Sequence, residues 1–435
     1  MSLLAAASIG VIATVAALGL VGATARRSDP LMALVVLVIA LEVDVEPLAG
    51  AAADRGRDLV VAAIVLVAAV LGWWSARRDR SFVFWTPLVY LLALPVLGLV
   101  LAPTSVDPVV SASKSLATIA VVVVVAVAVL HRGFDDVLEA AVLGLALIVL
   151  ASVLSTSAGI TGPSIDWAGQ PDVGIGGLRR FGGIAGDPNA LGRVSALCSV
   201  GGAALLYRGR GRVPILLEVI GIGGLVFAQS RTAIAAAVIA LAFVHVRHGH
   251  KRAVAALISL GMATVILITV SSRSLVDAVT RDGGGVGELA TGTGRTTLWR
   301  VVWTLAWERP IVGHGAFASK PVLEAAVAAR WVPFEAPDAH NLLLNLFLTQ
   351  GLLAVAIVAA LVGSISGARD RFQRGVDPRI VTLGIFVLLS ITENTLRKPG
   401  AALVVLSAAV ASLTFAPRPA APLATPSPSP ARTAG

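Results

Sequence analysis

An all-α bundle of membrane-crossing helices is the fold this sequence predicts, and three observations predict it. The chain of 435 residues is 57% hydrophobic and only 14% charged, where a soluble domain is about a quarter charged. Its mean hydropathy is +0.88. Its apolar runs approach ~20 residues, enough to cross a ~30 Å hydrocarbon core. They are too long and too uniformly apolar for barrel strands, and a spanning segment must satisfy its backbone internally, so they read as helices.

In order, the runs fall at 3–24, 31–48, 59–76, 82–102, 109–130, 135–157, 189–206, 213–229, 232–246, 253–271, 341–363, 380–396 and 401–416. That is about 12–13 spans, the lower number applying if the acidic second run (Glu42, Asp44, Glu46) does not fully cross. The first run lacks a preceding basic region and reads as a span rather than a signal peptide. Basic residues gather on alternate connections: Arg26–Arg27, Arg77–Arg80, His131–Arg132, Arg208–Arg212, Arg247–Arg252 and Arg369–Arg379. The positive-inside bias assigns these to the cytoplasm. The same bias explains the net charge of +9 and pI near 10.8 without nucleic acid as a partner. The single cysteine, Cys198, sits in an apolar run, so an intrachain disulfide is excluded and a metal cluster is disfavoured.

The other side receives 43–58, 103–108, 158–188, 229–232, 272–340 and 397–400. The two long loops, 158–188 and 272–340, are the kind that carry function. Residues 1–416 thus read as one transmembrane domain with a long extracytoplasmic loop, 272–340, that contains short helices. The Pro-, Ala-, Ser- and Thr-rich stretch 417–435 reads as a disordered cytoplasmic tail. No internal repeat of the inverted-transporter kind is found.

Four polar constellations share the outer side. In Arg179-Arg180-Phe181-Gly-Gly-Ile-Ala-Gly-Asp187-Pro188-Asn189, Asp-Pro is a helix-start signature. It could simply open a span, but nearby arginines and a helix N-terminus also make an anion site. Gln229-Ser230-Arg231-Thr232 is a very short corner between apolar runs, where an arginine is costly unless it snorkels, pairs or lines a polar cavity. From Gly294 a helix places Arg295, Trp299 and Trp303 on one face and Arg300, Trp303 and Trp307 on an adjoining one. Such a helix suits the headgroup layer, and its arginines suit a diphosphate through their bidentate donors. Finally, in Pro337-Asp338-Ala339-His340-Asn341, Asp338 resembles an N-cap. His340 would then lie in the first helical turn, kept neutral by the positive helix end and suited to act as a general base. His314, between glycines, is a weaker candidate. His131, His245, His248 and His250 fall on the basic side, where a solvated loop is a better reading than a metal site.

These residues resemble the O-antigen ligase and O-antigen polymerase superfamily of polytopic membrane glycosyltransferases. The matching motifs are Gly186-Asp187-Pro188-Asn189, Ser230-Arg231, Gly294-Arg295-Thr-Thr-Leu-Trp299, Arg309-Pro310-Ile-Val-Gly313-His-Gly315, and His340-Asn341 followed by Gly351. They occur in the family's order over residues 180–365. The resemblance implies a GT-C-like helical fold and an inverting, metal-independent transfer with no cofactor. The donor would be a glycan on a polyprenyl diphosphate carrier, and the acceptor a lipid or a glycan, on the outer face of a bacterial cytoplasmic membrane. It implies His340 as the base and Arg231 and Arg295 as diphosphate ligands, with Arg180 and Arg300 on looser motif matches. Asp187, Asn189, Asp338 and Asn341 support them. The polymerase branch shares much of this pattern, and thirteen spans exceed the twelve usual for ligases. A transporter or flippase of lipid-linked glycans is the rival of another class. It would place ionisable residues near the midplane, but Lys114, Arg193 and Glu393 each lie within a turn or two of a predicted outer end.

Overall fold

A computed structural model describes residues 32, 35, 36, 39, 86–159, 179–210, 212–249, 295–331, 338–367, 377–396 and 400–415. Its long elements are α1 (Thr86–Val100), α2 (Pro108–Arg132), α3 (Phe134–Ser157), α4 (Pro188–Leu206), α5 (Val213–Ala228) and α6 (Arg231–Arg247), then α7 (Arg295–Ala306), α8 (Ser319–Ala328), α9 (Leu342–Gly367), α10 (Pro378–Thr392) and α11 (Ala401–Phe415). Each of the expected spans from 82–102 to 232–246, and from 341–363 onward, is a helix within a few residues of its expected bounds. The expected spans 3–24, 59–76 and 253–271 and the tail lie outside the described residues, and the run 31–48 is described at only four positions, all helical. α2, α3, α4 and α9 are long and apolar enough to cross a membrane, and α5, α10 and α11 are shorter apolar helices. The chain is an integral membrane protein with a polytopic helical fold.

In lipid an apolar helix gains little by leaving the hydrocarbon, so helices associate by close packing of small residues. α4 shows this. It is rich in Gly, Ala and Ser, nearly every residue is buried, and it packs against α3, α5, α6 and α10. At the crossing with α5 the backbones approach so closely that a Cβ on Gly221 would overlap the Ser199 amide nitrogen. α11 is buried along almost its whole length between α1, α2, α3 and α10. On α5 and α6, by contrast, Leu216, Val219, Val226, Val238 and Ile239 remain exposed, as lipid-facing residues should.

A second, smaller core joins Leu298, Val302 and Leu305 of α7 and Leu323 of α8 to Ala339, just before α9, and to Phe347 and Leu348 within it. These are the short helices expected within the long loop. The joint between them and the bundle is a break in α9 at Gly351 (φ 69°, ψ −165°). The 310–315 loop lies in the break and satisfies the freed backbone: the amides of His314 and Gly315 donate to the carbonyls of Leu348 (3.0 Å) and Thr349 (2.8 Å), and Leu352 donates to Pro310 (2.7 Å). A Cβ on Gly351 would overlap the Ile311 carbonyl oxygen, so the loop seats only against glycine. His314 is buried, and its Nε2 donates to the Leu305 carbonyl (2.9 Å), which makes it part of this joint.

The helix directions collect two polar ends. One gathers the starts of α4, α6, α7 and α9 with the ends of α5 and α10. The other gathers Arg132, Asp135, Asp136, Arg208, Arg210, Asp377 and Arg379 around a cavity of about 320 Å³. The basic connections therefore share one end among the described residues, as their alternation predicts.

Candidate active site

At the first end, Asp187 caps α4, its carboxylate accepting from the amides of Asn189 (2.8 Å) and Ala190 (3.0 Å), with Pro188 at the first helical position. Asn189 accepts from the Arg180 guanidinium (3.0 Å) and from the Ser230 hydroxyl (3.3 Å). Arg180 is buried and also donates to the Ala228 carbonyl (3.4 Å). These bonds close the α5–α6 corner, where Gln229 takes the left-handed conformation (φ 50°) that ends a helix. Arg231, half-buried, is then the first residue of α6.

The neighbour of Arg231, Thr232, points to the residue the sequence reading passed over as a site member. Glu393 terminates α10 in extended conformation and is 1% exposed. Its Oε1 accepts from Arg295 (2.9 Å) and from the Thr232 hydroxyl (3.3 Å). Its Oε2 faces Arg193 Nη1 (3.4 Å) and His340 Nδ1 (3.5 Å). One carboxylate thus serves two guanidiniums and an imidazole. Arg193 and Glu393 are two of the three residues that a transporter reading would have placed near the midplane, and they meet across 200 positions of sequence at this end of the bundle. A charge in a predicted span was the available signal; no periodicity could have paired them.

His340 does not lie in the first turn of α9, which begins at Leu342. It precedes the helix at φ 47°, a left-handed conformation uncommon outside glycine and one that gathers at functional sites. The cap is Asn341 rather than Asp338: its Oδ1 accepts from the Leu344 amide (2.9 Å), and its side-chain amide donates to the Ile391 carbonyl (2.8 Å) near the end of α10. Asp338, buried, instead folds the loop back on itself by accepting from the His340 amide (2.7 Å), an Asx turn. Its Oδ1 also stands 3.6 Å from His340 Nδ1.

The His340 ring stands between two carboxylates rather than in the first turn of a helix. Burial pulls the His340 pKa down, but the Asp338 and Glu393 carboxylates outweigh it and the net direction is upward. Burial pushes Glu393 up in turn, but His340, Arg193 and Arg295 together hold it below the usual carboxylate range. Nδ1 is turned toward both carboxylates, at 3.6 and 3.5 Å, so Nε2 is the ring nitrogen on the side away from them.

α7 grips this loop. Its Arg295 holds Glu393, and one turn on the Trp299 indole donates to the Ala339 carbonyl (2.8 Å). Another turn on, Trp303 packs edge-on against Phe347. The face shared by these three residues is the one their spacing predicts. Arg300 is exposed on α7 and stands outside the carboxylate cluster. The structure therefore brings Arg295, His340, Asp338 and, through Thr232, the Arg231 corner together around Glu393. It sets Arg180, Asp187 and Asn189 behind that corner, and leaves Arg300 apart. Among the described residues no group of three or more His, Cys, Asp or Glu side chains is arranged to hold a metal ion.

Residues 216–359 match the family model described as O-Antigen ligase, which bears out the resemblance to the O-antigen ligase and polymerase superfamily. The matched segment carries Arg231, Arg295, His340 and the Gly351 joint. No curated protein matches the chain.

Proposed function

We propose, with the O-antigen ligase match as premise, that this protein moves a glycan from a polyprenyl diphosphate carrier to a lipid or cell-envelope acceptor at the outer face of a bacterial cytoplasmic membrane. The observation that carries the reading is a histidine with Nδ1 against two carboxylates and an arginine, Arg295, at the same buried carboxylate. That pairing combines a base with a cationic phosphate-binding group.

In the reaction, the acceptor hydroxyl oxygen attacks the anomeric carbon from the face opposite the diphosphate. The new C–O bond forms as the bond to the diphosphate oxygen breaks, so the configuration inverts. His340 Nε2 takes the hydroxyl proton, and the bonding pair leaves with the diphosphate. The imidazolium that forms is stabilised by Asp338 and Glu393, which is what their upward push on its pKa means. Arg295 and Arg231 stabilise the charge growing on the leaving group. Arg180 serves by holding the Arg231 corner through Asn189 and Ala228, and Arg300 meets the carrier only at the exposed side of α7. Trp303 and Trp307, each 51% exposed, sit at the membrane–water boundary, where aromatic residues anchor a helix.

The test is His340→Ala in cells, read on a gel of surface glycans. General-base loss costs about 10²- to 10⁴-fold, so undecorated acceptor and lipid-linked donor accumulate while the protein stays in the membrane. An unchanged glycan profile defeats the reading. Acceptors bearing a single repeat unit identify a polymerase, and donor that fails to reach the outer leaflet identifies a transporter.

A further inference from the structure

We infer that Glu393 is a positioning residue of this reaction: one buried carboxylate turns His340 so that Nε2 faces the acceptor and keeps Arg295 at the diphosphate. The inference rests on the transfer proposed above and goes beyond the residues to which the motifs point.

Five segments converge on this side chain. α4 supplies Arg193, α6 Thr232, α7 Arg295, the loop before α9 His340, and α10 Glu393 itself. A buried ion pair kept only for the fold needs one partner for each charge, since every extra ion costs desolvation. Here one carboxylate faces two guanidiniums and an imidazole, and the second carboxylate, Asp338, lies within the loop of His340 itself. The cations also differ in depth. The Arg193 side chain is 7% exposed and that of Arg295 17%. Arg193 is thus the standing counter-ion, while Arg295 is the partner placed at the rim, where a diphosphate oxygen can share its donors. A carboxylate on one ring nitrogen fixes the tautomer and makes the other nitrogen the base. The Nδ1–Oε2 separation of 3.5 Å allows that contact to tighten when substrate arrives, as catalytic hydrogen bonds do.

The test is Glu393→Gln in spheroplasts of cells that lack their own copy, so that the native donor and acceptor are present and the medium sets the pH at the outer face. Transfer is read as the initial rate of acceptor modification across pH, beside His340→Ala. Losing the residue that orients a catalytic histidine costs up to about 10⁴-fold in a protease triad; for the looser contact here the expected loss is about 100-fold. The sign of the accompanying pH change follows from the charges facing His340. Asp338 and Glu393 raise its pKa while burial and Arg295 lower it, with Arg193 behind Glu393 and Arg231 beside Thr232. Below its pKa the ring is protonated and cannot accept a proton, so the acid limb of the wild-type profile sits high. Without the Glu393 charge that limb moves to lower pH, a change that a purely structural role would not produce.

A Glu393→Gln rate within threefold of wild type overturns the inference, and so does a large loss with the acid limb unmoved. If His340→Ala is inactive while Glu393→Gln is normal, this inference alone falls. If His340→Ala is active, the transfer itself falls. Should Glu393→Gln not accumulate, the pair Arg193→Gln with Glu393→Gln removes equal and opposite buried charge and carries the same readout. Failure of both to accumulate marks Glu393 as a folding residue and also overturns the inference.

Discussion

The two polar ends of this bundle use charge in opposite ways. At the arginine-rich end the ions pair nearly one to one: Arg208 with Asp135 (3.0 Å), Arg210 with Asp136 (2.7 Å) and, more loosely, Glu139 (3.4 Å), and Arg379 with Asp377. The side chains of Arg208, Arg210 and their partners are 24–38% exposed, and Arg379–Asp377 is a buried pair of one cation with one carboxylate. At the other end Glu393 is shared among Arg193, Arg295 and His340, and it is almost fully buried. Exposed pairs are screened and add little, while a shared buried carboxylate sets orientation and protonation and is expensive to disturb. The difference separates an end of paired ions from the end at which we propose the transfer takes place.

Substitutions can break this contrast. The largest effect is expected at the buried end. Arg295→Ala removes the donor proposed for the leaving group and should lower glycan transfer about 100- to 1000-fold, with Arg295→Lys between it and wild type because it keeps the charge but loses the fork. Transfer within a few-fold of wild type for Arg295→Ala would remove the diphosphate role from this end.

The second effect is on stability. Gly351→Ala forces a side chain into a conformation that is essentially reserved for glycine and against the Ile311 carbonyl. A loss of about 3 kcal/mol is expected, read as a lowered unfolding midpoint of the protein in detergent. Transfer should fall as well, because the same joint seats α7 and therefore Arg295. An unchanged midpoint would show that the break in α9 can re-form without the 310–315 loop.

The smallest effect belongs to the arginine-rich end. A double-mutant cycle on Arg208 and Asp135 should give a coupling below ~1 kcal/mol and leave transfer unchanged. A large coupling, or a loss of transfer, would show that this end is more than a set of paired ions.

Much of the buried end was legible before any coordinates. Asp187-Pro188 announced the start of α4, Trp299 and Trp303 declared the face of α7, and Arg231 stood out at a corner where a lone cation is costly. The misreadings are also physical. Asp338 looked like a cap because Asp is a good one, yet the chain caps α9 with Asn341 and spends Asp338 on an Asx turn that holds His340 outside the helix. The motif from Arg309 to Gly315 looked like part of the site, but its glycines serve a backbone-to-backbone joint with Gly351. Local propensity cannot distinguish two caps three residues apart, or a glycine that bares a ligand site from one that admits a second strand of backbone.

The sequence by itself determined that this chain is a helical membrane protein, where most of its helices begin and end, and that its basic connections share one end. Those properties follow from hydropathy and spacing, which are local along the chain. Only the tertiary structure decided the surroundings of His340 and the place of Glu393. A carboxylate at the end of α10 acquires meaning from arginines 98 and 200 residues away and a histidine on another loop, because electrostatic energy depends on distance in space and on burial, and neither is written in the order of the residues.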